Sequence, residues 1–265
     1  MEHEDEKERR GIQSIEVGGQ LLTALAKSGG AMSLKQLAQE AQMTAAKAHP
    51  YLVSFGKLGL VSQDPVSGRY ALGRLALHMG LACLRQLNPV RLATAAAVEL
   101  EQRIHHTVAL AVWGNAGPTV IHLEESSHPI HMNLRTGTVM SLTTATGLVF
   151  GAYMPARMIE RFVEESMHPD AFPHIIGERR NWQEMQPALA EVREHGMARA
   201  IGQPIAGVSA FSVPVFDHNG HIVLVITIVG PTGGFDPDWD CTNARALKET
   251  AAAISADLGF NASAH

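Results

Sequence analysis

A chain of 265 residues with 46% hydrophobic content is long enough for one large domain or two ordinary ones, each with its own core. No apolar run approaches the roughly 20 residues of a membrane span, and the opening MEHEDEKERR lacks the apolar centre of a signal peptide. The expectation is therefore a cytoplasmic protein without membrane contact, and because two cysteines make neither a disulfide framework nor a metal cluster, no metal or other cofactor is expected. The net charge of −5 is unevenly spread: residues 1–10 carry three basic and five acidic side chains, 11–74 six and three, and 75–265 twelve and eighteen. A small basic module ahead of a larger acidic one fits a nucleic-acid-binding head on a sensing body.

After a charged tail at 1–10, residues 12–27 have the apolar spacing of a helix, with Ile15, Leu21, Leu22 and Leu25 on one side, ended by Ser28-Gly29-Gly30. Ser33 caps a second helix, LKQLAQEAQ, and Thr44 caps a third that carries Ala48, Leu52 and Phe55 inward. Pro50 lies beyond the tolerant first turn of that third helix and deletes the bond to the Ala46 carbonyl, a loss of about 3 kcal/mol in an ideal interior. LVSQ (60–63) and RYAL (69–72) flank the turn Asp64-Pro65-Val66-Ser67-Gly68 as a hairpin, so residues 11–73 read as a winged helix-turn-helix. Residues 74–88 form a leucine-rich linker helix that covers more than one face and suits a contact with a second copy. Asn88 and Pro89 then start another helix, in the cap-then-proline order.

From Thr107 the period drops to two. TVALAVW and TVIHLEE pair as a hairpin, IHMNL (130–134) is a further short strand, and helices follow at TATGLVFGAY, PARMIERFVEES and NWQEMQPALAEVREHG. MARAIGQPI (197–205), VSAFSVPVF (208–216) and HIVLVITIV (221–229) read as strands, and Trp239–Leu258 as a closing helix, with Cys83 and Cys241 as packing residues inside helices. The fold class is α+β: the winged helix-turn-helix, then an antiparallel sheet with helices around it over residues 89–265.

The order of these pieces, with GIQSIEVGGQLL at the start, QDPVSGRYALG in the wing, SLTTATGLVFGAY mid-chain and GVSAFSVPVFDHNGHIVLVITIVGP near the end, resembles the IclR family of bacterial transcriptional regulators from about residue 11 to 259. The resemblance implies operator binding by the N-terminal module, a GAF-like C-terminal domain holding a small effector, assembly as dimers or dimers of dimers, and no catalysis. It places DNA contacts on Thr44, Lys47, His49, Ser54, Lys57 and Arg69, with Pro50 standing where the family usually has arginine. The expected outcome is a bent but intact reading helix.

The segment Ser141-Leu142-Thr143-Thr144-Ala145-Thr146-Gly147 gathers hydroxyls and amides at a helix start, which either caps that helix or attracts a carboxylate. The resemblance favours binding and implies an effector site of Leu142, Thr143, Thr144, Ala145, Thr146, Gly147, Gln203, Ser209, Ala210, Phe211, Ser212 and Thr227. Met132, Leu134, Met140, Leu142 and Trp113 are candidate apolar walls. An apolar cavity with one anion-binding end suits a small aliphatic or aromatic acid of a catabolic pathway. Two alternatives stand beside this one: a hydrolase or transferase built on Ser209, Ser212 and His218, although no G-x-S-x-G elbow is present, and a sensor that has lost DNA binding through Pro50. Fourteen histidines, among them His105, His106, His122, His128 and His131, show no metal-binding spacing.

Overall fold

The computed structural model describes residues 11–126, 134–167, 175–178 and 180–261. The chain divides into two compact units, Met1–Leu87 and Asn88–His265. The expected strand at 130–134 lies, but for Leu134, outside the described residues, as do His128, His131 and Met132. No helix among the described residues is long and apolar enough to cross a membrane.

The first unit contains α1 (Gln13–Ser28), α2 (Leu34–Glu40), α3 (Ala45–Leu58), the antiparallel pair β1 (Val61–Gln63) and β2 (Tyr70–Leu72), and α4 (Arg74–Gln86). Ser33 opens α2 with a full capping box: its hydroxyl accepts from the Gln36 amide, and the Gln36 side chain accepts from the Ser33 amide. Gln42, left-handed at φ 52°, turns the chain from α2 into α3. Leu21, Leu25, Leu37, Ala48, Leu52 and Tyr70 close one core beneath the three helices and the hairpin. Gly18 allows α1 to sit against α3, because a side chain there would come within 2.9 Å of the Phe55 ring. No residue of α4 is buried. Leu75, Leu77, Leu81 and Leu84 are exposed, and so is Cys83, which is therefore not the packing residue its helical setting suggested.

The second unit begins with α5 (Pro89–Ile104), capped by Asn88, and the hairpin β3 (Thr107–Gly114) and β4 (Gly117–Glu124). It continues with α6 (Ala145–Tyr153), α7 (Ala156–Ser166), α8 (Trp182–His195), β5 (Ala198–Ile201), β6 (Val208–Phe216), β7 (Ile222–Pro231) and α9 (Thr242–Asp257). The five strands form an antiparallel sheet in the order β4-β3-β7-β6-β5. Both faces are covered. Leu110, Leu224, Ile226, Ile228, Phe211 and Val213 are buried on the side where α5 and α9 pack, while Ala111, Val225, Ala198 and Ala210 meet α6, with α7 and α8 behind it.

Two elements are shorter than their sequences suggest. β5 stops at Ile201 because Gly202 turns the chain in a left-handed conformation (φ 63°), so 203–207 is a loop instead of strand. α9 starts at Thr242 rather than Trp239, since Asp236 and Asp238 hold local turns by accepting from the Asp238 and Asp240 amides. Cys241 is the cap of that helix, its sulfur accepting from the Ala244 amide at 3.4 Å, a role its helical reading had missed.

Candidate functional site

Two surfaces hold most of the residues singled out by the sequence, one in each unit. In the first, Thr44 starts α3 by accepting from the Lys47 amide at 3.2 Å, and the helix then runs unbroken through Pro50. Ser54 donates to the Pro50 carbonyl at 3.0 Å. Ala48 and Leu52 anchor one side, leaving Thr44, Lys47, His49, Ser54 and Lys57 exposed. Arg69 is also exposed, but its guanidinium donates to the Ala31 carbonyl at 3.1 Å and is partly committed to the base of the wing. The wing tip is held by Asp64, whose carboxylate accepts from the Val66 and Ser67 amides and the Ser67 hydroxyl. Those bonds, first of all the Ser67 amide, hold Asp64 below its ordinary value of 3.8.

The second surface is a cavity of about 40 Å³, room for the centres of a few water molecules, between the α6 face of the sheet and the start of α6. Of the residues expected there, Thr144, Ala145, Thr146, Gln203, Ala210 and Thr227 line it. Ala109, Ala111, Val120, Leu134, Met140, Val208 and Val229 supply apolar walls, and Pro204 and Ile205 come from the loop after β5. Gln203 is exposed and marks the mouth, whereas Thr146 and Thr227 are buried.

The start of α6 divides its polar groups between structure and cavity. Thr144 caps the helix, accepting from the Gly147 amide at 3.1 Å and donating to the Ser141 carbonyl at 2.8 Å. The Ala145 and Thr146 amides have no acceptor among the described residues, as expected for the first turn of a helix. Behind them runs a buried chain of hydroxyls: Ser212 to Thr227 at 2.7 Å, and Thr227 to Thr146 at 2.9 Å. Two residues whose amides lack an acceptor, the Thr146 hydroxyl bonded to Thr227, and the positive end of a helix dipole therefore lie at the wall of a largely apolar cavity.

The remaining expected residues lie elsewhere, each for a physical reason. β6 alternates, so Ala210 faces the cavity while Phe211 turns to the opposite side against Phe235. Ser209 turns the same way and bonds Thr232. Ser212 is on the cavity side but reaches it only through Thr227. Thr143 is used up locally, donating to the Glu178 carbonyl and accepting from its amide. Leu142 is core, and Gly147 is where α6 crosses the preceding turn, since a Cβ there would lie 2.5 Å from Leu142 Cα. Trp113, expected as a wall, packs edge-on against Phe150 and Phe162 instead. Ala109, Val120, Val229, Pro204 and Ile205 escaped sequence reasoning. The period-two pattern shared by Ala109, Val229 and Thr227 was the available signal.

Ser209 and Ser212 point to opposite sides of β6, and His218 lies exposed on the β6–β7 turn, so the described residues assemble no nucleophile and base. Nor do three His, Cys, Asp or Glu side chains come together among them as a metal site.

Comparison with known proteins gives consistent findings. A family model described as "Bacterial transcriptional regulator IclR C-terminal" matches residues 81–256, and one described as "IclR helix-turn-helix domain" matches residues 14–65. The crystal structure of Pseudomonas aeruginosa HmgR is similar over 95% of this chain and 100% of that one, with 35% identity and a TM-score of 0.85. The HTH-type transcriptional regulator KdgR of Dickeya chrysanthemi is 25% identical over 87% of this chain and 75% of its own length. An IclR homolog from Microbacterium hydrocarbonoxydans, solved in complex with 4-hydroxybenzoate, shares the fold at 17% identity and a TM-score of 0.53, over 92% of this chain and 98% of that one.

Proposed function

The chain belongs to the IclR family of bacterial transcriptional regulators, and from that membership we propose that its effector is a small carboxylic acid held at the start of α6. At the level of the family, it is a ligand-responsive DNA-binding regulator and not an enzyme. The observation that carries the finer reading is that Ala145 and Thr146, whose amides have no acceptor among the described residues, line a largely apolar cavity at the start of α6, beside the Thr146 hydroxyl. A carboxylate offers two oxygens to those three donors, and the helix dipole favours its charge. The apolar walls favour a carbon body without further charge.

We read the sheet unit as GAF-like, residues 89–265 as the effector domain, residues 11–73 as the operator-binding head and 74–88 as the linker between them. On this reading Thr44, Lys47, His49, Ser54, Lys57 and Arg69 contact operator DNA, and the regulator works in the cytoplasm on a catabolic operon. The exposed leucines of α4 support self-association through that helix. The cavity as it stands has room for an acid of a few non-hydrogen atoms. An aromatic acid is larger than the cavity as it stands and requires its walls to move apart, and the 4-hydroxybenzoate complex of the Microbacterium hydrocarbonoxydans protein is a precedent for such a ligand on this fold.

Calorimetry on the full chain with matched pairs of acid and amide, from pyruvate and pyruvamide to 4-hydroxybenzoate and 4-hydroxybenzamide, tests the reading. At least one acid should bind while its amide does not. Equal binding of acid and amide, or no binding across aliphatic and aromatic acids alike, would contradict it.

A further inference from the structure

We propose that this regulator reads its operator largely through thymine methyl groups, using an apolar stripe on the reading helix; the inference rests on the assignment of α3 to the major groove. Residues 46, 50, 53 and 57 follow the i, i+4, i+7, i+11 spacing of one helix face. All four are exposed, and the first three are Ala46, Pro50 and Val53. Ala48 and Leu52, buried on the other side, fix which face is presented. The centre of the reading surface therefore offers no side-chain hydrogen-bond donor or acceptor until Lys57 in the last turn.

An exposed valine and proline at this place would weaken DNA binding if they met polar base edges, because groove water would be displaced with nothing to replace its hydrogen bonds. The major groove holds one apolar group, the 5-methyl of thymine, and apolar side chains meet it there. Charge complementarity identifies the occupant as DNA and not another apolar surface. Lys47 and Ser54 lie along one shoulder of the stripe, His49 along the other, and Lys57 closes its end, a polar and basic frame suited to phosphates and the rims of the groove. A helix whose N-terminal half carries Ala46 and Pro50 presents those residues to the bases, the usual docking of a helix-turn-helix. With Arg69 partly held by the Ala31 carbonyl, the wing adds little that would override this preference.

The test starts from operators selected by the full-length protein out of a random duplex pool at moderate salt. Each thymine in a selected duplex is then replaced by deoxyuridine, which removes only the methyl group. At one to three positions per half-site the affinity should fall about fourfold per methyl, the worth of one buried CH₂ group. Val53→Ala should abolish the thymine-over-uracil preference at one of those positions and leave the others intact. Replacing a cytosine by 5-methylcytosine at neighbouring positions should not restore binding lost elsewhere. Selected operators that bind equally well with uracil throughout would overturn the inference while leaving DNA binding standing. Failure to select any duplex, even at low salt, would overturn the assignment of α3 to DNA as well.

Discussion

Thr227 shows how one side chain ties the site together. It lies on a central strand, 4% exposed, and its hydroxyl is shared between Ser212 behind it and Thr146 in front. Three hydroxyls joined by two bonds leave one proton to spare. On the proposed reading, an anion at the start of α6 would orient all of them forward, so that Ser212 donates to Thr227, Thr227 to Thr146, and Thr146 to the ligand. Thr227→Val keeps the shape but removes the link, leaving two buried hydroxyls each short of a partner. The expected loss is about 1–3 kcal/mol of unfolding free energy, read by urea denaturation, together with weaker acid binding. A variant as stable as the parent and equally tight for the acid would show that the chain of hydroxyls is incidental. The cap at Thr144 and the anion reading of the same segment turn out to be compatible. Thr144 takes the Gly147 amide, and the two amides between them have no acceptor among the described residues. The sequence alone left that choice open, because a capping motif and an anion site use the same residue types.

At the scale of elements, α3 holds the main tension between local rule and tertiary structure. Pro50 costs a backbone hydrogen bond in mid-helix, yet the helix persists because Ala48 and Leu52 are buried and Phe55 packs against Gly18 of α1. Pro50→Ala restores the bond to the Ala46 carbonyl. Chemical denaturation should show a gain of about 1–3 kcal/mol, with slower hydrogen exchange in α3. No gain would mean that the surrounding helices already compensate fully for the missing bond. Helices and strands of this chain were legible because their patterns differ: Leu21 and Leu25 repeat as a helix, whereas Val208–Phe216 is a short apolar run bounded by turn residues. Which way its successive residues face was not legible. Both faces of the sheet are covered and apolar, so nothing local says that Ala210 faces the cavity and Phe211 the far side. The end of β5 was obscured for a related reason: Gly202 reads as a tolerated strand glycine until its left-handed backbone is seen.

For the whole molecule, the uneven charge, the helix-turn-helix order and the later sheet were enough to suggest a basic reading head and a sensing unit, and the two family models match residues 14–65 and 81–256. The precise cavity was not legible, since it draws on β3, β4, α6, β6, β7 and the loop after β5, residues far apart in the chain. What joins sensing to reading is the claim that an acid at the start of α6 changes the affinity of α3 for DNA, a coupling of typically 1–3 kcal/mol in allosteric proteins. The most direct test measures operator affinity by fluorescence anisotropy, at fixed salt, while an acid that binds the protein is titrated in alongside its amide. Operator affinity should change about fivefold or more with the acid and not at all with the amide, and the acid's effect should be lost in a Thr146→Val, Thr227→Val double variant that still binds DNA. An operator affinity indifferent to the bound acid, or shifted equally by acid and amide, would contradict this coupling.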